Sequence, residues 1–341
     1  MNPELLPIIS SGINITKIEV YVTNKNSTTV NTRNILALQD LGEHSAINPI
    51  NGLLEDNNTP FPYVPDNLNN SLNPFDFVAE VADNTSDSIR NISEITSAFN
   101  NPLYDGFNQG LDYEKIENAR RLSTSEYSVN SQLGFISLNQ ALASDEILAV
   151  AFQYTYMGET HQVGEFSTDV TSPSTLILKL LKSTMTDVSQ ANWNLLMKNV
   201  YSLGAYQINR DDFILEILHQ NDSLGAPVNF LTQGPSGLKE TPLLQIFGVD
   251  NLNSNNDPGS DGVFDFIDGV LINSSNGRIY FPTTKPFGCA LRKKFSGINV
   301  DCENPNSSDP FFSVANLYCF DALYDSTQAA AQQIAESNKF L

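Results

Sequence analysis

The chain of 341 residues carries 39 acidic against 18 basic side chains, a net charge of −21. Nucleic acid and acidic lipid surfaces are poor partners for it, because both are held through clustered Lys and Arg. With 40% hydrophobic and 10% aromatic residues it has the apolar content of a folded protein, enough for one large core or two smaller ones. Met1 to Gly12 lacks a basic stretch followed by a long apolar run, and no segment approaches the ~20 apolar residues of a membrane helix.

In chain order, Lys17 to Thr23 alternates Ile18, Val20 and Val22 against Lys17, Glu19 and Tyr21, the period of a strand buried on one face. Asn34 to Leu41 reads as a second strand, with Ile35 to Leu38 apolar throughout and so buried on both faces. From about 42 to 101 the sequence is an irregular, Asn- and Pro-rich stretch, expected to be a long functional loop. Asp112 to Leu122 reads as a short charged helix, with Arg120 and Arg121 serving a helix-face salt bridge to Glu117. Tyr127 to Val129 and Gly134 to Asn139 read as strands. Glu146 to Phe166 is a hairpin turning at Met157-Gly158-Glu159, and Leu176 to Leu181 is a further buried strand.

Trp193, Leu196, Met197, Val200 and Tyr201 recur at helical spacing, which predicts a helix over Gln190 to Tyr201 capped by Ser189. Asp212 to Gln220 alternates as a strand. Gly269 to Phe281 holds a hairpin around Ser274-Ser275-Asn276-Gly277. Asp309-Pro310 opens a helix to Leu323, and Asp325 with Gln328 caps its continuation. The stop at Lys339-Phe340-Leu341 is expected of a fragment. The fold class is thus mainly β with a few helices, a β-sandwich-like or irregular sheet, with a β-rich domain over 1–308 and a helical segment over 309–341.

Candidate chemistry concentrates in the Asp-rich loop from Asp250 to Asp268. Asp257, Asp261, Gly262, Asp265 and Asp268 fall at positions 1, 5, 6, 9 and 12 of a calcium loop. Asp257, Asp261, Asp265 and Asp268 are therefore candidate ligands of a structural Ca2+. Position 3 is Gly259 and position 12 is Asp, so the match is partial, and a run of Asx turns is the competing reading. No catalytic motif is present, and His44, His161 and His219 stand far apart. No catalytic residue and no other cofactor is expected. Cys289, Cys302 and Cys319 form an odd set without metal-ligand spacing, which argues against a zinc site and against a disulfide framework.

Several stretches together resemble one family. They are Thr16-Lys-Ile-Glu-Val-Tyr-Val-Thr-Asn24, the long run from Asn118 through Ala-Arg-Arg-Leu-Ser-Thr-Ser-Glu-Tyr to Asn139, Asp145-Glu-Ile-Leu-Ala-Val-Ala-Phe-Gln-Tyr154 and Met197-Lys-Asn-Val-Tyr-Ser-Leu-Gly-Ala-Tyr206. Asn255-Asn-Asp-Pro-Gly-Ser-Asp-Gly-Val-Phe-Asp265 and Leu323-Tyr-Asp-Ser326 belong with them. They are similar to the SprA/Sov family, very large outer-membrane β-barrels of Bacteroidota that form the translocon of the type IX secretion system and support gliding motility. The resemblance implies an extramembrane portion of such a barrel protein, at the cell surface or in the periplasm, without enzymatic activity. Its implied partners are other type IX components, the barrel plug and shuttle subunits, and secreted cargo, with membrane association only through barrel segments outside this sequence. A calcium-stabilised adhesion or glycan-binding β-sandwich is the alternative.

Overall fold

The computed structural model describes residues 12–25, 30–39, 41, 88–99, 108–185, 187–188, 193, 195–220, 225–296, 311–334 and 340. The chain divides into two compact units, Ser11–Leu196 and Met197–Leu341. The division expected after residue 308 therefore falls elsewhere: Ala315, Tyr318 and Tyr324 of the late helices share one core with Leu243, Ile272 and Phe281.

The first unit runs β1 (Ile13–Val22), β2 (Thr32–Leu38), a 3-10 turn (Ser88–Arg90), α1 (Ile95–Phe99), β3 (Tyr113–Arg121), β4 (Tyr127–Asn130), β5 (Phe135–Leu138), β6 (Leu148–Tyr156), β7 (Glu159–Val163) and β8 (Leu176–Lys182). Strands β1, β3, β2, β8 and β6 are hydrogen-bonded in that order, and β1 pairs with β6 from Ile13 to Val22, so the sheet closes into a five-stranded barrel. The molecule is mainly β, as expected, but a barrel takes the place of the sandwich. The reason is that β1 finds partners on both edges, β6 on one and Arg120–Arg121 on the other, which leaves no open sheet to stack.

The barrel is filled by Tyr21, Ile35, Ala37, Ile116, Ala119, Ala149, Ala151, Leu176, Leu178 and Leu180, with the small alanines of β6 beside the leucines of β8. Each large aliphatic chain removed from water there contributes about 1.5–3 kcal/mol. Outside, Leu36, Leu38 and Ile177 lie under Ile95 and Phe99 of α1, while Val20, Val22, Leu148 and Val150 lie under Tyr127 of the β4–β5 hairpin. Both faces of β2 are buried, as its unbroken apolar run predicts. The one-face expectation for β1 is corrected: Glu19 and Tyr21, placed on the wet side by alternation, point into the barrel.

The helix expected over Asp112 to Leu122 is β3. Its inward residues Ile116 and Ala119 stand three apart because the ladder with β2 slips there, with one extra residue on β3 between the pairs Ile35–Ile116 and Arg33–Ala119. Asn118 takes the left-handed conformation at the bulge (φ 51), and its N–H donates to the Asn34 side chain (3.0 Å). A bulge thus imitates helical spacing. Of the stretch expected to be irregular, residues 88–99 form the 3-10 turn and α1, and the rest lies outside the described residues.

The second unit runs β9 (Val200–Ser202), a 3-10 turn (Arg210–Asp212), α2 (Leu243–Ile246), β10 (Ile272–Asn273), β11 (Arg278–Tyr280), a π turn (Pro286–Ala290), α3 (Leu291–Ser296), α4 (Phe312–Tyr318), α5 (Ala322–Asp325) and α6 (Gln328–Gln332). The hairpin over Gly269 to Phe281 is present, and β9 joins it through the pairs Tyr201–Ile279 and Val200–Tyr280. That pairing is why the expected helix does not reach Tyr201, whose ring packs edge-on to Phe281 and Phe287 while Leu196 and Met197 stay exposed. The strand expected over Asp212 to Gln220 is not formed: Asp212 ends the 3-10 turn, and the residues after it make no ladder, only single bridges at His219. The expected C-terminal helix is broken by extended Cys319, and its continuation is capped by Thr327, not Asp325.

Cys289 is disulfide-bonded, whereas Cys319 is buried outside any disulfide, its thiol donating to the Gly288 carbonyl (3.5 Å). An odd count therefore does not forbid a bridge; it leaves one cysteine over. Alkylating the unfolded, unreduced chain is expected to label one of its three cysteines. Labelling of all three would contradict the bridge.

Candidate functional site

The Asp-rich loop is built around carboxylates turned inward onto backbone amides. Asp250, 1% exposed, accepts from the N–H groups of Asp261 and Gly262 (3.0 Å each). Asp265 reaches back to the N–H groups of Asn251 (2.7 Å) and Leu252 (3.2 Å), and its own N–H donates to the Val249 carbonyl. The two ends of the loop thereby clasp each other. Between them, the Asn253 side chain accepts from the N–H groups of Asn255 and Asp257, and Asp261 accepts from Val263 N–H, both the Asx-turn pattern.

The four candidate calcium ligands are not brought together. Asp257 is exposed, Asp261 closes its own turn, Asp265 is buried in the clasp, and Asp268 accepts from the N–H of Ser274 in the following hairpin (2.8 Å). Among the described residues no group of three or more His, Cys, Asp or Glu side chains could hold a metal ion. The geometry is that of the competing Asx-turn reading. Burial pushes the Asp250 and Asp265 carboxyls above the ordinary value, against the hydrogen bonds from the backbone, and neighbouring Asp charges add to the rise. Titrating the chain with calcium is expected to give no saturable heat, for wild type and Asp261→Ala alike. Saturable heat abolished by Asp261→Ala would restore the ion. Asp265→Asn is expected to destabilise by about 1–3 kcal/mol with or without calcium, since it sets an amide N–H against donors.

Two polar clusters in the barrel escape sequence reasoning. At one mouth, Glu19 accepts from Arg121 (3.0 Å), Tyr21 (2.9 Å) and both the N–H and hydroxyl of Ser167 (2.9 and 2.8 Å). Burial opposes the Glu19 charge, yet these donors together hold its carboxyl below the ordinary value. Arg33 donates to the carbonyls of Ser167, Val170 and Ser174, which fixes the loop after β7 across the opening. Arg121 therefore pairs with Glu19, and Arg120 with Glu126, in place of the expected Glu117. The second cluster is the bidentate pair of Arg90 and Glu165. Glu19 leaves a signal in sequence, a charge between the apolar strand residues Ile18 and Val20, whereas Arg90 lies in the 3-10 turn and Glu165 in the loop after β7.

Neither described histidine stands in a catalytic arrangement. His161 stacks on Tyr154, His219 packs between Tyr318 and Phe340, and His44 lies outside the described residues. No helix among the described residues is long and apolar enough to cross a membrane. No protein-family model matches the chain, and no curated protein matches it.

Proposed function

We propose that the chain is a structural and gating portion of the outer-membrane protein-conducting channel of the type IX secretion system, lying outside the bilayer and acting through shape and partner contacts. One observation carries the reading. Stretches that resemble the SprA/Sov family, around 16–24, 118–139 and 145–154, pack on one another as a single cluster: Ile18, Val20 and Val22 from the first, Leu122, Tyr127, Val129, Ile136 and Leu138 from the second, Leu148, Val150 and Phe152 from the third. Residues far apart in sequence that resemble one family and also build one wall are what a shared structural element requires.

The cover on the barrel supports an extramembrane position. The outer faces of β1, β2, β6 and β8 are packed by the chain's own hairpin and α1, where a membrane barrel presents an apolar band to lipid. The disulfide at Cys289 suits an oxidising compartment such as the periplasm or cell surface. The proposed partners are the plug and shuttle subunits of the channel and secreted cargo. The alternative of a calcium-stabilised adhesion module gains nothing from carboxylates already occupied by backbone amides.

Deleting the coding region for these residues from the chromosome of the source organism tests the proposal. Release of type IX cargo and spreading on surfaces are expected to fall to the level of a translocon null. Normal cargo release would contradict it.

A further inference from the structure

Cys319 ends α4, and the chain around it lies along the π turn that carries the disulfide-bonded Cys289. Two contacts hold these stretches side by side. The Phe320 N–H donates to the Phe287 carbonyl (2.7 Å), and the Cys319 thiol donates to the carbonyl of Gly288, the group bonded to the Cys289 nitrogen (3.5 Å). Gly288 permits the approach, since a Cβ there would stand 2.8 Å from Asp321 Oδ1 and 2.9 Å from the Tyr324 ring. A carbonyl oxygen lies about 2.8 Å from the next Cα, and a cysteine Sγ about as far from its own Cα, so covalent geometry keeps the two sulfurs within roughly 9 Å of each other. A buried thiol thus stands beside a disulfide to which it does not belong.

A buried cation lies at the same place. Arg292 of α3 is 5% exposed and grips residues on both sides of Cys319, donating to Asn316 Oδ1 (3.1 Å) and to both carboxylate oxygens of Asp321 (3.3 and 2.6 Å). Its Nε–H is buried without a hydrogen-bond partner, which leaves the guanidinium a donor in hand. Burial works against the Arg292 charge, and the Asp321 hydrogen bond with the electrostatic pull of Cys319, Asp321 and Asp325 more than offsets it. A fixed cation near a thiol favours the thiolate, the form that attacks disulfides. We infer that Cys319 and Cys289 form a thiol–disulfide exchange site, in which the Cys319 thiolate attacks the Cys289 sulfur and moves the bridge onto the end of α4. The Cys319 proton passes to solvent, the Cys319–Cys289 bond forms as the original S–S bond of Cys289 breaks, and the displaced sulfur leaves with the electron pair and takes up a proton. No oxidant is consumed. The exchanged bridge ties the π turn directly to α4. The inference stands independently of the secretion reading.

Holding the unreduced full chain at mildly alkaline pH, quenching in acid at intervals, alkylating in denaturant and mapping the peptides by mass spectrometry tests it. The label is expected to spread from Cys319 to another cysteine, with Cys289 and Cys319 recovered as one linked peptide pair, at a rate independent of protein concentration. Arg292→Ala is expected to slow this exchange about tenfold, the effect of a one-unit rise in the thiol pKa. Loosened packing would speed exchange, so the direction of the change separates lost charge from lost structure. A label confined to Cys319 throughout, or unchanged or faster exchange in Arg292→Ala, would overturn the inference. So would a rate that rises with protein concentration, which would assign the exchange to encounters between copies.

Discussion

Replacing Gly277 by alanine is expected to destabilise the second unit by roughly 3 kcal/mol or more, enough to lower its folded population measurably. A Cβ at this position would stand 1.9 Å from the Ala205 carbonyl oxygen and 2.8 Å from its carbon, both backbone atoms that cannot rotate away. Retreat of that backbone is resisted by hydrogen bonds that lay residues 203–208 across the hairpin: Leu203 to Gly277 (2.8 Å), Gln207 to Ser275 (3.3 Å) and Ile208 to Ser274 (2.9 Å). Gly277 also holds φ at +62, where a side chain adds strain. Gly204→Ala isolates that smaller effect, because Gly204 has φ +69 and open space around it. Its expected cost is about 1 kcal/mol. Urea unfolding of the two variants decides the matter, and equal losses would show that the Ala205 contact is soft.

The second large effect is expected from Arg90→Ala, about 3–5 kcal/mol, because it strands a buried carboxylate. Arg90 grips Glu165 through two bonds of 2.6 and 2.7 Å, and the Glu165 carboxylate also accepts from the N–H of Ile177 (2.7 Å). The side chains differ sharply in exposure, 29% for Arg90 and 2% for Glu165. Glu165→Gln is therefore expected to be the milder change, since the guanidinium it releases reaches water while the amide still accepts from Ile177. The Arg90 backbone adds bonds with the Thr175 N–H and hydroxyl, so the pair ties the turn before α1 to the barrel at β8. Exchange at Ile95–Phe99 amides is expected to rise in Arg90→Ala. A larger loss in Glu165→Gln than in Arg90→Ala would contradict this asymmetry.

What could be read from the sequence depended on whether a residue's partner was local. The β2 strand, the hairpin turning at Met157 and the Asn276-Gly277 turn follow from composition within a few residues, and all are present. The reading of β3 as a helix rested on its charges, Glu117 with Arg120 and Arg121, and those arginines find their partners elsewhere, Arg121 in Glu19 a hundred residues earlier and Arg120 in Glu126 of the next turn. Closure of the barrel left no local trace: whether Glu19 and Tyr21 face water or a core depends on β6 and β8, more than a hundred residues later. The Asp-rich loop was legible as a loop, but its construction was not. Asp250 and Asp265 act on backbone amides 11 to 14 residues away, which no side-chain spacing records. Gly277 was legible as a turn glycine, while its contact with Ala205 was not.

The central proposal is that these residues belong to an outer-membrane channel protein. It is tested most directly by probing fractionated cells of the source organism with an antibody raised against residues 108–185, which form a described part of the first unit. The account predicts a polypeptide much longer than 341 residues, recovered with the outer membrane. A band of 341-residue size in the soluble fraction would contradict it.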